Sequence, residues 1–536
     1  MTFLNSIKAS IKNREWESLT LILLAGFLFR LIAAFFSKGF AFHDDHFCVI
    51  TVSQYWEWGV DYWFEKGVPP LHSLVYAGMN YGIFLFTSAI GITDPEARMV
   101  VVRLFHAVYS MSLIYFSYKI ALVLSENRKT AGIVGWIMVT LWFMPMMSVK
   151  NLVEMASIPL FLAGYYLIVK ECKKVGKPTL GLWFVAGALF GFAFLIRYHT
   201  ILFAGGMGLA LLWQRKWLES AVFSLGYVVL ALSIMGVLDM ILYDYPLQTI
   251  VTYFEYNSAN AYNYVTGPPE RYIFTVLGFL VPPVSLMLAV GYFKAWKKSP
   301  EIFWGGLVFF VFHSLFPNKQ ERFILPLLPL IIILGIVGWQ EFVVRSKFWQ
   351  KRQSWIRGSW IFFWTINFIA AMALSLTYSK KARIEPLYQL SKEKNVSTIV
   401  VESTVGDHQM SPVYYLGKLS YEIRDFYYRK PYLPEKADLD NKEIDYPLVF
   451  PISKNHPLDT VLIELEDMGR IPDYVIFKGR DSLEQRVAKL KQEFPGLEYD
   501  REISVSVYDA ILHFLNPGVH KDEHITMYKR NASVNK

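Results

Sequence analysis

LTLILLAGFLFRLIAAFF, residues 19–36, is followed after five residues by FHDDHF at 42–47. A helix needs about 20 apolar residues to cross a bilayer core, and the first stretch meets that length. It lacks a small-residue cleavage pattern and carries Arg30 well inside it, so it reads as a retained span and not a signal peptide. The second stretch places two carboxylates and two imidazoles where that span leaves the membrane.

Apolar runs near spanning length recur to about residue 378, and after Lys380 the chain reads like a soluble domain. Hydrophobic residues reach 54% and charged residues only 18%, against about 45–50% and 25% in soluble chains. Irregular backbone facing lipid would leave amides and carbonyls unpaired, so the runs are expected to be helices. The net charge of +8 does not point to nucleic acid, because the basic residues sit in short loops where topology accounts for them. Cys48 and Cys172 form no metal or redox motif and should lie on opposite sides of the membrane, unpaired.

Lys8, Lys12 and Arg14 keep the N-terminus cytoplasmic, and so do the basic clusters near 128–129, 170–177, 215–216, 294–298 and 345–357. Spans are expected near 19–37, 100–123, 131–147, 153–169, 180–196, 200–213, 218–243, 272–292, 302–316, 323–342 and 358–378, about eleven in all. The apolar stretch 71–92 is left over. As a simple span it would invert every later loop, so it is expected to be re-entrant, interfacial or a helical hairpin. The outer segments are then 38–99, a turn after Ser148, 197–199, 244–271, 316–322 and 380–536. Within the last, 397–401 and 474–477 read as strands, 461–468 and 483–494 as helices, and 503–514 as one or two further strands. The expected fold class is an α-helical polytopic membrane protein, with a transmembrane domain over 1–379 and a soluble α/β domain over 380–536.

His43-Asp44-Asp45-His46 can supply a general base, which must be unprotonated and within reach of the hydroxyl it activates. The plainer reading is a solvated loop start or an aspartate cap. Two histidines three apart plus a carboxylate could hold a divalent ion, but no distant ligand completes the set, so no metal is expected. Arg30, Arg103, Arg197 and Arg322 fall in the outer half of the membrane or at its surface, where they snorkel to headgroups or meet a phosphate through a planar fork. Phe316-Pro317-Asn318-Lys319-Gln320-Glu321-Arg322-Phe323 reads as a tight outer turn. Asn151, Glu154, Asp239, Tyr243, Asn257, Tyr264 and Tyr272 add polar groups on the same side.

A long first outer loop with an Asp pair, many spans and an outer C-terminal domain resemble the GT-C glycosyltransferases, and within them the mannosyltransferases of glycosyltransferase family 22. That branch has a His-Pro-Asp-Glu motif after its first span. His43-Asp44-Asp45-His46 is similar, with Asp45 at the family Asp, Asp44 in place of Pro and His46 in place of Glu. Tyr55-Trp56-Glu57-Trp58 is similar to a Thr-Trp-Glu-Trp-like element. Asn318-Lys319-Gln320-Glu321-Arg322-Phe323 resembles a His-Lys-Glu-x-Arg-Phe motif, and Arg197-Tyr198-His199-Thr200 an Arg-Pro-Thr element with one residue inserted. The resemblance covers roughly residues 19–345.

The resemblance implies a polyprenyl- or dolichyl-phosphate donor carrying mannose, no cofactor, and a lipid-linked or glycan acceptor on the non-cytoplasmic side. An inverting displacement needs one carboxylate to take the acceptor proton, which falls to Asp45 with Asp44 second. Arg197, Lys319, Arg322 and Arg30 would hold the donor phosphate. His43, His46, Glu57, Glu321 and Asn257 would contact substrate. Another sugar or a protein acceptor stays open, as does a transporter or lipid flippase, although no internal repeat supports the latter. The reading favours a bacterial inner membrane over the endoplasmic reticulum.

Overall fold

The computed structural model describes residues 16–60, 73–243, 245–403, 409–423, 446–517 and 521–531. Lys8, Lys12 and Arg14, which orient the N-terminus in the sequence reading, lie outside them. The chain divides into two compact units. One comprises Met1–Phe35, Pro69–Tyr76 and Arg103–Leu376; the other comprises Phe36–Val68, Ala77–Val102 and Thr377–Lys536.

Among the described residues, six helices are long and apolar enough to cross a membrane: Leu19–Phe36, Pro95–Ser125, Val153–Lys173, Trp217–Tyr243, Glu321–Arg345 and Gln353–Ser375. Leu180–Ile196, Tyr198–Trp213 and Pro300–Leu315 are shorter apolar helices. The expected span 272–292 is instead two helices, Arg271–Phe279 and Val284–Lys294, bent by 112°. Pro282 and Pro283 sit in the break, where they remove amide donors and push the preceding residues out of helical backbone. Stretch 71–92 holds one helix, Leu74–Ala89.

Lipid offers no hydrophobic drive between helices, so close backbone contact does the packing. A Cβ on Gly291 would fall 1.9 Å from the Gly335 carbonyl oxygen, and one on Gly338 would fall 2.0 Å from that of Gly291. Only glycine permits Val284–Lys294 and Leu328–Arg345 to approach so closely.

The second unit is built on a six-stranded sheet: β1 Thr398–Glu402, β2 Tyr421–Glu422, β3 Leu448–Ile452, β4 Tyr474–Lys478, β5 Leu497–Ile503 and β6 Ile525–Arg530, in the order β2-β3-β1-β4-β6-β5. The first four are parallel, and β6 joins β4 antiparallel. Strands β1 and β3 are buried along their whole length, as strands covered on both faces must be. Residues 503–514 depart from expectation. Ile503 ends β5, and Val507–Leu515 is a helix. Ser506 caps it, its Oγ accepting from the Asp509 amide at 3.1 Å, and the apolar residues recur at helical spacing.

The core of this unit is discontinuous in sequence. Phe40, Phe47 and Ile50 from the first loop, and Phe84, Met99 and Val102, pack with Ile399, Tyr414, Tyr415 and Ile476 of the C-terminal segment.

Candidate active site

In the first unit, Val153–Lys173 begins with Glu154, which is fully buried. Its Oε1 lies 3.0 Å from Arg197 Nη2 and 3.9 Å from Arg322 Nε. One carboxylate thus faces two buried guanidiniums. Arg197 sits where Leu180–Ile196 ends, and Arg322 is the second residue of the 3₁₀ segment Glu321–Leu327. Both guanidiniums lie over the ring of Phe323, at 5.1 and 5.5 Å. Arg322 Nε also donates to Gln320 Oε1 at 2.9 Å.

Lys319 is 1% exposed. Its ammonium donates to the carbonyls of His313 at 2.7 Å, Ser314 at 2.8 Å and Phe316, closing the C-terminal end of helix Pro300–Leu315. It also sits 5.2 Å from the centre of the Tyr272 ring. Tyr272 in turn donates to the Gln320 carbonyl at 2.9 Å. Glu321 faces outward and pairs with Arg271 at 2.6 Å.

A second chain of polar groups runs beside the arginines. Tyr253 Oη lies 2.6 Å from His199 Nε2, and His199 Nδ1 lies 3.3 Å from His313 Nε2. Asp239 fixes the helix that carries Tyr253: its carboxylate accepts from the Thr249 amide at 3.0 Å and hydroxyl at 2.5 Å, in the first turn of Gln248–Ala259. Asn257 stands one turn after Tyr253 and donates to its carbonyl at 2.7 Å.

Arg30 belongs to a different cluster. It is fully buried and donates to Ser110 Oγ at 3.0 Å, the Met138 carbonyl at 3.2 Å and Ser148 Oγ at 3.2 Å. Each partner is neutral, and together they staple three segments to the first helix. Arg103 likewise donates to the Ala34 carbonyl at 2.7 Å.

In the second unit, His43–Asp45 form one α-helical turn that widens into a π-helical turn over His46–Ile50 before Thr51–Glu57. Such turns are frequent at functional sites. Asp45 is 3% exposed, while His43 is exposed and Asp44 half-buried. The His46 ring is stacked between Phe40, at 4.6 Å, and Tyr415, at 5.6 Å. Burial first, then the charges of Arg383 and His43, hold its pKa well below the usual histidine range, so the ring is neutral. Its two nitrogens have no hydrogen-bond partner.

Glu57 is engaged by Arg98 in a two-point fork, Nη1 to Oε2 at 2.6 Å and Nη2 to Oε1 at 3.1 Å, and Ser88 bridges the pair. That fork ties Thr51–Glu57 to Pro95–Tyr109.

The structure therefore brings Arg197 and Arg322 together on Glu154, with Lys319 anchored beside Arg322 in sequence. The first-loop carboxylates and His46 belong to the other unit, and Arg30 bonds to Ser110, Met138 and Ser148. Sequence reasoning gave Glu154 only a minor place and passed over His313, Tyr253 and Arg98. A carboxylate opening an apolar span was the available signal for Glu154, since such charges are costly unless paired. Among the described residues no group of three or more His, Cys, Asp or Glu is placed to hold an ion.

Comparison with known proteins bears on this arrangement. The model of the Alg9-like mannosyltransferase family, glycosyltransferase family 22, matches residues 21–414. GPI mannosyltransferase 3 of Candida albicans is 25% identical over 334 residues, which are 59% of this chain and 63% of that protein, so the chain spans under two thirds of its relative. ArnT from Cupriavidus metallidurans, solved bound to undecaprenyl phosphate, superposes with a TM-score of 0.57 at 12% identity, covering 96% of this chain and 98% of ArnT. Oligosaccharyltransferase AglB from Archaeoglobus fulgidus, solved with an inhibitory peptide and a dolichol-phosphate, gives 0.51 at 11% identity over 90% of this chain and 72% of AglB. The chain belongs to the Alg9-like mannosyltransferase family and is a multi-pass membrane protein with the GT-C fold.

Proposed function

We propose that the protein transfers a hexose, mannose by family membership, from a polyprenyl- or dolichyl-phosphate donor to a lipid-linked or glycan acceptor. The observation that carries this reading is the buried pair of arginines on one carboxylate. Arg197 and Arg322 offer planar guanidinium donors and Lys319 a fixed ammonium, the groups that suit an anionic phosphate head. An apolar cavity of about 220 Å³ adjoins in sequence, lined by Ile273, Val276, Leu280, Phe293, Phe310 and Leu327. Ile273 follows Tyr272, and Leu327 closes the 3₁₀ segment that contains Arg322. A lipid with a phosphate head and an isoprenoid tail suits both features. The fold neighbours solved with undecaprenyl phosphate and dolichol-phosphate support the same donor class.

In this mechanism Asp45 removes the proton of the acceptor hydroxyl as its oxygen attacks the anomeric carbon. The donor phosphate leaves from the opposite face, and the linkage inverts. The phosphate already leaves well, so no acid is required. Arg197 and Arg322 stabilise its growing charge through planar donors, and Lys319 adds a fixed positive charge. Asp44 and His43 border the acceptor, and His46 is a neutral ring stacked between Phe40 and Tyr415. Arg30 and Glu57 act at a distance, by holding helices in place. The transmembrane part, 1–379, binds donor lipid, and the domain over 380–536 faces the non-cytoplasmic side.

The test is sugar transfer in membranes with labelled polyprenyl-phosphate mannose, for wild type and Asp45→Asn. Transfer by wild type alone, with equal insertion of both proteins, is expected. Undiminished transfer by Asp45→Asn would remove Asp45 as the base. No transfer by wild type from mannose, glucose or aminoarabinose donors would remove the donor class.

A further inference from the structure

Helix Val507–Leu515 turns the wrong side outward for a soluble domain. Val507 is 78% exposed, Ile511 52%, Phe514 84% and Leu515 71%, and Ala510 is exposed with them. At about 100° per residue these five positions fill one arc of about 140°, with no charged residue inside it. The polar positions, Asp509 and His513, point the other way. They border a cavity of about 300 Å³ that Lys380, Arg480 and His524 also line. A helix packed onto an aqueous domain normally buries its apolar stripe and exposes its charges. Here the order is reversed, and an exposed patch of this kind marks an interaction surface.

The place of the helix says what covers it. The Lys380 amide lies 3.5 Å from Asp509 Oδ1, so the helix is tied to the chain five residues after Ser375, the end of a spanning helix. Five residues reach at most about 17 Å. The same corner holds a second exit from the membrane. Ser379 donates its amide to the Lys38 carbonyl at 3.1 Å and its hydroxyl to the Phe40 carbonyl at 3.0 Å, and Lys38 lies two residues after the spanning helix Leu19–Phe36. Gly39 is locked into this strap, for a Cβ there would fall 1.9 Å from the Ser379 carbonyl oxygen. The helix is thus tied to chain that lies within about five residues of the ends of two apolar helices long enough to span a bilayer.

We infer that Val507–Leu515 lies in the plane of the membrane interface, with Val507, Ile511, Phe514 and Leu515 set into the lipid. An amphipathic helix of this kind seats its apolar face at the boundary of headgroups and acyl chains. It gives the C-terminal segment a foot on the bilayer in addition to its covalent link. The inference does not depend on which sugar is transferred, or on whether any is.

The test uses the full chain in nanodiscs, with Cys48→Ser and Cys172→Ser removing the native thiols. Single cysteines at Val507, Ile511 and Phe514, and at Glu466 as a control, carry a bimane fluorophore. Glu466 is exposed and lies near Arg470 and Pro472, ahead of β4, whereas Arg480 beside the helix follows β4. Expected are a blue-shifted emission at the three helix positions, quenching by shallow doxyl-phosphatidylcholine and loss of quenching by aqueous iodide, with Glu466 showing the reverse. Iodide quenching at Phe514 equal to that at Glu466 would overturn the inference, because the face would then be in water. Shielding from both quenchers would also overturn it, because protein and not lipid would cover the helix.

Discussion

Replacing Glu154 by Gln keeps the shape of the side chain and removes a charge that two buried guanidiniums face. The carboxylate is 3.0 Å from Arg197 and 3.9 Å from Arg322. With an effective dielectric near 20, contacts at these distances are worth roughly 4–6 kcal/mol each before desolvation. Breaking a buried pair while leaving its cation behind costs a net ~3–5 kcal/mol, and that is the loss expected for Glu154→Gln. Arg197→Gln removes one of the two cations that would lose this carboxylate. The double variant should therefore lose less than the two single losses combined, with a coupling of at least about 1 kcal/mol. Reversible unfolding of the four proteins in mixed micelles measures the cycle. Single losses that add within about 0.5 kcal/mol would refute the shared carboxylate. So would a Glu154→Gln protein as stable as wild type. Transfer assays add a second arm: Arg197→Lys keeps the charge but loses the planar fork, and kcat is expected to fall by roughly 10²-fold or more.

Three further outcomes follow from local geometry. His46 is held neutral in the fold by burial and by Arg383. The unfolded chain takes up a proton below about pH 6.5 that the folded ring refuses. Stability contributed by His46 is thus present above that pH and falls as pH drops through it, and His46→Phe should flatten this part of the unfolding profile between pH 7.5 and 5; an unchanged slope would reject it. Glu57→Gln and Arg98→Gln should each lower stability by ~3 kcal/mol and be strongly non-additive, with KM of the folded enzyme unchanged; a raised KM with normal stability would instead make Glu57 a sugar ligand. Gly39 has φ +75 and no room for a Cβ. Gly39→Ala should cost upwards of ~1–2 kcal/mol from left-handed backbone alone, read as a lower unfolding midpoint, and no change would mean the Lys38–Ser379 strap is dispensable.

Residues 180–196 were read as a helix from apolar length alone and are one, because lipid leaves the backbone no other way to pair its amides. Stretch 272–292 looked equally apolar but contains Pro282 and Pro283, and its 112° bend is the kind of local fact that composition averages away. The misread segment 503–514 failed for another reason. Val507, Ile511 and Phe514 fit a buried strand by hydrophobicity, and only their spacing and the Ser506 cap make a helix of them.

The sequence by itself determined that this is a multi-pass membrane protein, since bilayer thickness imposes a length on every apolar run, and that costly charges such as Arg197 and Arg322 needed partners. It could not determine the partners. Glu154, Arg197 and Arg322 come from three separate helical segments, and Phe40 and Phe47 join a core with Tyr415 from the far end of the chain. Such pairings depend on how helices and strands pack, and no local pattern records which distant side chain will fill a given space. The tertiary structure decided that Arg197 and Arg322 share one carboxylate, that Arg30 staples helices, and that Val507–Leu515 carries its apolar face outward.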